Sequence, residues 1–139
     1  MSIPQSASGE IQSRDDLVRH LSKGCRPKAD WRIGTEHEKF VYDLKTQKPV
    51  AYDGKPGIRR LLEGMQRFGW EPVREGEHII GLIQNGASLS LEPGGQFELS
   101  GAAVKSIHET CAEVNTHLDQ TREVAGEIGV GVLGFGFAP

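Results

Sequence analysis

The dipeptide Asn85-Gly86, set between two short strand-like stretches, is the feature that most limits how this chain can fold. Asn followed by Gly favours a type I′ turn, which joins two antiparallel strands. Residues 78–84 before the turn are mostly apolar, and residues 88–92 after it alternate between serine and leucine and end in a glutamate. The sequence therefore predicts a β-hairpin here, and the fold must contain an antiparallel sheet built around it.

Other short strands are predicted on both sides of this hairpin. They cover residues 31–43, 70–73, 96–100 and 130–137. The run Pro93-Gly94-Gly95 interrupts the strand pattern between the hairpin and residues 96–100, and we interpret it as a bulge or bend that redirects Glu98.

Three amphipathic segments are predicted to be helices. They are residues 14–23, residues 58–68 and residues from about 101 to 128. Ser13 and Asp16 fit a capping box at the start of the first helix, and Ser100 is the expected cap of the last. His108 and His117 in the long helix are interpreted as surface residues. Helices segregated between antiparallel strands indicate an α+β fold rather than a doubly wound sheet.

Composition excludes several classes of function. A formal net charge of -3 over 139 residues argues against a protein that binds along nucleic-acid phosphates. Cys25 and Cys111 form neither a disulfide framework nor a zinc-site spacing. Residues 1–12 are expected to be a flexible lead, without a secretory signal. No segment reaches the length of a membrane span, so we expect a cytoplasmic protein that does not bind membranes.

Glu36 and Glu38 form the first candidate site. On a strand they share one face, about 6.5–7 Å apart at the backbone, while His37 faces the other way and is interpreted as packed or hydrogen-bonded. At an effective dielectric of ~20 and a separation of ~5 Å, the two carboxylates repel by about 3 kcal/mol, which a divalent cation would remove. Oxygen-only ligands favour Mg²⁺ or Mn²⁺ over zinc. The alternative is a solvated strand face that carries two acids.

Residues 88–100 form the second candidate site, with the leucines and Phe97 on one face and the polar residues on the other. If this segment lies beside the first, four carboxylates form one acidic floor. They belong to Glu36, Glu38, Glu92 and Glu98. Such a floor suits metal ions that hold a nucleotide triphosphate. The alternative is an amphipathic sheet with a hydrated face. Because no Walker-type Gly-Lys-Ser/Thr is present, ATP would require another kind of fold.

Four segments, in the same order, resemble the plant and proteobacterial type of glutamate–cysteine ligase. They are residues 31–40 (WRIGTEHEKF), 90–102 (SLEPGGQFELSGA), 110–115 (TCAEVN) and 134–139 (GFGFAP). The resemblance runs from about Asp16 to the last residue. It implies a fold similar to glutamine synthetase, with a curved antiparallel sheet as the floor of the active site and helices packed on one face. Residues 1–139 would be the N-terminal part of a single catalytic domain.

The resemblance implies an enzyme that joins the γ-carboxylate of glutamate to the amine of cysteine through a γ-glutamyl phosphate, the first step of glutathione synthesis. ATP would be a substrate and Mg²⁺ or Mn²⁺ the cofactor. Glu36 and Glu38 would be metal ligands, Glu92 and Glu98 further ligands or orienting groups, and Gln96 a contact to glutamate or phosphate. No catalytic residue is assigned.

Members of this family are several times longer than this chain. We therefore expect a partial site without full activity, completed by the remainder of the catalytic domain or by a second chain. Two alternatives stay open: a related ligase with another amine acceptor, and a non-catalytic assembly fragment that pairs through the edge at residues 130–137. Cys111 resembles one half of a regulatory disulfide of plant relatives, although a buried helix cysteine explains its position equally well.

Overall fold

The computed structural model describes residues 10–137, so most of the expected lead lies outside the described residues. Within them, six strands form one sheet: β1 (Glu36–Asp43), β2 (Glu71–Glu75), β3 (His78–Gln84), β4 (Ala87–Glu92), β5 (Gln96–Ser100) and β6 (Val130–Leu133). The α-helices are α1 (Arg14–Ser22), α2 (Ile58–Met65) and α3 (Ile107–Ile128). The strand order is β2-β3-β4-β5-β1-β6, and every neighbouring pair is antiparallel. The predicted α+β class is confirmed.

The hairpin predicted at Asn85-Gly86 is confirmed, because the φ angles of these residues are 50° and 84°, as a type I′ turn requires. The interpretation of residues 93–95 as a bulge or bend is wrong. Glu92 pairs with Gln96 across them, so Pro-Gly-Gly is the loop of a second hairpin that joins β4 to β5. Two tight hairpins in succession place β3, β4 and β5 side by side.

The core lies between the sheet and the two helices that pack on it. Apolar residues of α2, of the sheet and of α3 form one buried cluster, whose largest members include Leu61, Leu62, Leu89, Phe97 and Val124. Each such side chain contributes about 1.5–3 kcal/mol by its burial. Gly64 of α2 lies against Val124 of α3, where a Cβ atom would overlap the valine side chain, so glycine permits the close approach of the helices.

Three predicted boundaries differ from the structure by four residues or more. The first strand begins at Glu36 instead of residue 31, and within 31–35 only Ile33 makes a β-bridge, to Val104. The long helix begins at Ile107 instead of residue 101, because Ser106 rather than Ser100 is its N-cap. The last strand ends at Leu133 instead of residue 137.

The first helix is capped as predicted, but it is not packed. The Ser13 hydroxyl accepts a hydrogen bond of 3.2 Å from the backbone N–H of Asp16. No residue of α1 is buried, and Leu21 is 75% exposed. Cys111 of α3 is also exposed, so the alternative of a buried helix cysteine is wrong. Within residues 10–137, no helix combines the length and the apolar character that a membrane crossing needs.

Candidate functional site

The polar face of β1, β4 and β5, called here the front face, collects the acids that the sequence suggested. Its members are Glu36, Glu38, Ser90, Glu92, Gln96, Glu98 and Ser100. Glu38 lies directly opposite Glu98 across the β1–β5 ladder, and Glu98 lies opposite Ser90 across the β5–β4 ladder. Residues opposite each other in an antiparallel pair have Cβ atoms about 4.5–5.5 Å apart. The structure thus brings carboxylates from separate strands onto one surface, and their role as metal ligands stays a prediction.

The four carboxylates differ in their access to solvent. Glu36 and Glu38 are exposed, Glu92 is half-buried, and Glu98 is only 2% exposed. Gln96, predicted to contact substrate, donates a 3.0 Å hydrogen bond from Nε2 to Oε2 of Glu38. That bond orients Glu38, and a contact between Gln96 and substrate stays a prediction.

Glu98 is the most constrained of these acids. Ser90 Oγ donates to its Oε2 at 3.2 Å, and Ser100 Oγ donates to its Oε1 at 3.1 Å. Burial raises the pKa of the Glu98 carboxyl above its ordinary value, the neighbouring Glu92 carboxyl adds to the rise, and the two serine hydroxyls oppose it. A bound cation stabilises the charged form of a carboxyl more strongly when that carboxyl is buried beside a second carboxyl than when it is exposed.

The hydroxyl and amide groups that donate hydrogen bonds to Glu38 and Glu98 are neutral, and a further hydrogen-bond partner of Glu98 is the carboxyl of Glu92. Among the residues that the structure describes, neither of these acids, nor Glu36, forms an ion pair with a lysine, arginine or histidine. Amide and hydroxyl donors hold a carboxylate in place without cancelling its charge. The front face therefore keeps an excess of negative charge that suits a cation from solution.

The donor set fits Mg²⁺ or Mn²⁺ bound by few protein ligands. All the candidate atoms are oxygens, which these hard cations prefer. Within residues 10–137, no three His, Cys, Asp or Glu side chains converge tightly enough to hold an ion by themselves. Mg²⁺ usually takes only one or two carboxylates and completes its shell with water and substrate phosphates. The front face agrees with that pattern and not with an all-protein cage.

The opposite face of the same strands, called here the back face, holds a buried cation that the sequence analysis did not single out. Lys39 is 1% exposed, and its Nζ lies 2.9 Å from His37 Nδ1 and 2.6 Å from the backbone oxygen of His37. The same Nζ lies 5.7 Å from the centre of the Phe97 ring. Burial lowers the pKa of Lys39 to about 8, while the carboxylates of Glu98 and Glu38 oppose the shift. The alternation that placed His37 on this face was the signal for Lys39, two residues further along the strand.

His117, predicted to be a surface residue, is buried, which corrects that interpretation. It is 2% exposed and packs beside Phe97, with 5.8 Å between the ring centres. Burial lowers its pKa to about 3, and the charges of Lys39 and His37 add to the shift. Its sequence spacing of four and seven residues from Thr121 and Val124, both buried, was the helical signal that would have found it.

Comparisons with known proteins agree with the resemblance drawn from the sequence. Residues 32–139 match the model of glutamate-cysteine ligase family 2 (GCS2). The chain is 55% identical over 131 residues to "Glutamate--cysteine ligase, chloroplastic" of Brassica juncea, and the match covers 94% of this chain and 25% of that protein. The proteins of the same name from Nicotiana tabacum and Arabidopsis thaliana are 53% and 55% identical, over 95% and 94% of this chain and 25% and 24% of their own lengths. The chain thus spans about a quarter of the curated relatives it matches.

The expected cytoplasmic location is contradicted by these relatives, which are named chloroplastic. That expectation rested on the absence of a secretory signal in the first residues. The absence of an apolar secretory segment does not separate a cytoplasmic protein from one of an organelle, because organelle transit segments are polar and rich in serine.

The family match covers 108 of the 139 residues (32 to 139) and includes the motifs on β1 and β5, which lie on one acidic surface. The chain belongs to the glutamate–cysteine ligase family 2.

Proposed function

We propose that this chain forms the metal-holding floor of an ATP-dependent ligase that joins the γ-carboxylate of glutamate to the amine of cysteine. The observation that carries the proposal is the register of β1 and β5, which sets Glu38 directly opposite Glu98 on a surface with neutral donors. Family membership supplies the reaction class, since the relatives are named glutamate–cysteine ligases.

Each acid has a distinct part in this proposal. Glu36 and Glu38, both exposed, would be metal ligands, and the less exposed Glu92 and Glu98 would be further ligands. Bound Mg²⁺ or Mn²⁺ would neutralise phosphate oxygens of ATP during transfer of the terminal phosphoryl group to the γ-carboxylate of glutamate. The rigid strands supply the positioning, because a sheet with a packed back face holds its front-face side chains at fixed spacing.

We further propose that this site is partial. The phosphates of ATP and the α-carboxylate of glutamate call for cationic groups, and the front face of β1, β4 and β5 presents none. The relatives are about four times as long as the matched segment, so the missing groups would come from additional polypeptide of the same domain or from a second chain. In this view the 139-residue chain alone does not turn over ATP with glutamate and cysteine.

A chimera tests the proposal in a complete enzyme. The segment of the Brassica juncea protein that matches this chain would be replaced by this sequence, and formation of γ-glutamylcysteine would be measured with Mg²⁺, ATP, glutamate and cysteine. The two sequences are 55% identical over the exchanged region, so we expect an active enzyme. Glu38→Gln in the chimera should lower kcat by at least about 100-fold, because it removes a proposed metal ligand.

Glu71→Gln is the matched control. Glu71 is an exposed acid at the other edge of the sheet, on β2, and it lies far from the proposed floor in the strand order. The proposal fails if Glu38→Gln and Glu71→Gln leave equal activity. Replacing cysteine by other amines in the same assay tests the acceptor, and a chimera that prefers another amine would show a ligase of different specificity.

A further inference from the structure

Two serine hydroxyls hold the carboxylate of Glu98 in one orientation. One oxygen of its carboxylate accepts from Ser90 at 3.2 Å, and the other accepts from Ser100 at 3.1 Å. The two hydroxyls come from different strands, β4 and β5. Each of the two carboxylate oxygens therefore accepts one hydrogen bond from a serine. The two bonds together fix the rotation of the carboxylate plane.

The strand register enforces this arrangement. Ser90 pairs directly with Glu98 across β4 and β5, and Ser100 follows Glu98 by two residues, so all three side chains point to the front face. Ser90 is 1% exposed and Glu98 is 2% exposed, so water competes little for these bonds. Ser90 Oγ also lies 3.4 Å from Oε1 of Glu92, which places this hydroxyl between two of the proposed ligands.

Neutral donors leave the carboxylate free to bind a cation. A carboxylate offers about four lone-pair directions, and two serine hydroxyls occupy one on each oxygen. The Glu92 carboxyl is a further hydrogen-bond partner of Glu98, so at least one direction remains for a cation. The serine hydroxyls do not cancel the negative charge of the carboxylate, as a lysine or arginine in the same place would. Groups that orient a ligand in this way strengthen metal binding without touching the metal.

We infer that Ser90 and Ser100 are positioning residues that hold the Glu98 carboxylate in the orientation that binds a divalent cation. This inference rests on the proposed function, because it takes Glu98 as a ligand. It gives a role to two residues that otherwise read only as polar members of an amphipathic sheet. It also explains why a nearly buried glutamate stands in the floor without a cationic partner among the described residues.

The test is Mn²⁺ binding to the full 139-residue chain, followed by the electron paramagnetic resonance signal of free Mn²⁺. Ser90→Ala and Ser100→Ala should each raise the Kd by about tenfold, the range seen when an orienting group is lost. Ser100→Thr keeps a hydroxyl in a half-buried strand position and should restore the affinity to within about twofold of wild type. If the hydroxyls served only to stabilise the fold, the alanine variants would lower the free energy of unfolding and leave the Kd of the folded protein unchanged.

Ser88→Ala is the matched control. Ser88 lies on the same strand and the same face as Ser90 and pairs with Ser100, yet within residues 10–137 it makes no side-chain hydrogen bond to a carboxylate. Its Kd should equal that of wild type. Ser100 is only half-buried, so Ser100→Ala keeps the test decisive if Ser90→Ala does not fold.

The outcomes separate this inference from the proposed function. Unchanged Mn²⁺ affinity in both serine variants, with a loss in Glu98→Gln, overturns the inference and leaves the proposed floor intact. Absence of Mn²⁺ binding by the wild type, or equal binding by wild type and Glu98→Gln, overturns both. A loss in Ser88→Ala as large as in Ser100→Ala would also overturn the inference, because it would show a general effect of the face.

Discussion

The two faces of one sheet treat charge in opposite ways. On the front face, Glu38 and Glu98 accept hydrogen bonds from neutral amide and hydroxyl donors, which do not cancel a negative charge. On the back face, Lys39 is buried against the Phe97 ring and hydrogen-bonded to its neighbour His37. Glu38 and Lys39 are consecutive residues of β1, and the pleat of the strand points their side chains to opposite faces of the sheet. The back face therefore buries the side chains that stabilise the sheet, whereas the front face holds carboxylates close enough to repel one another.

The largest expected effect is on the back face. Phe97→Ala removes a fully buried ring from the core and should lower the free energy of unfolding by about 3–5 kcal/mol, measured by urea denaturation. Gln96→Ala, one residue away on the front face, should lower it by less than about 1 kcal/mol. Equal losses in the two variants would break the comparison between the faces.

Acid titration should sharpen the comparison, because the buried His117 stays neutral in the folded protein. Its folded pKa of about 3 is below the ordinary value of 6.5, so the unfolded chain binds the extra proton between these values. Stability is therefore lost as the pH falls through this window, by about 2 kcal/mol between pH 6 and pH 4. His117→Gln should flatten that part of the pH profile of unfolding. The same slope in both proteins would contradict a buried neutral histidine.

A substitution on the front face should have the opposite sign. Glu38→Gln keeps the shape of the side chain and removes one of the crowded charges, so the free energy of unfolding without metal should rise slightly, by less than about 1 kcal/mol. Added salt should shrink the gain, because it screens exposed charges. A thermal denaturation series in metal-free buffer measures both effects, and a clear loss of stability would show that Glu38 has a structural role.

The smallest effect is expected in α1. Leu21→Ala removes an apolar side chain that is 75% exposed, so the free energy of unfolding should change by less than about 0.5 kcal/mol. Leu62→Ala in α2, a fully buried leucine, is the control and should cost about 2–5 kcal/mol. A large loss in Leu21→Ala would mean that α1 is packed in solution.

Local signals in the sequence predicted the parts of the fold that depend on neighbours in the chain. Asn85-Gly86 predicted its hairpin because the turn needs positive φ at both residues, and β3 was predicted to the residue. Alternation placed Glu36, Glu38, Glu92 and Glu98 on polar faces correctly. Neither signal states which strands become neighbours. β1 and β5 are neighbours in the sheet although more than fifty residues separate them in the sequence. Only tertiary packing brings them together.

The wrong predictions for α1, for the start of the long helix and for His117 also depend on tertiary packing. The stripe of α1 resembled a packed helix, but local amphipathicity does not say whether a partner surface lies within the chain. Serine suits an N-cap at both Ser100 and Ser106. Ser100 pairs with Glu36 as part of β5, so Ser106 caps the long helix instead. His117 was misplaced because a polar side chain was taken to face solvent, whereas it lies on the buried stripe of the long helix with Thr121 and Val124.

The most direct test of the shared floor is a double-mutant cycle of Mn²⁺ affinity on Glu38→Gln, Glu98→Gln and the combined variant. If both carboxylates serve one cation-binding surface, each single change should raise the Kd by about tenfold or more, and the combined change should raise it by less than the product of the two. If wild type and all three variants bind Mn²⁺ with the same affinity, the two strands do not build a metal site and the central claim is contradicted.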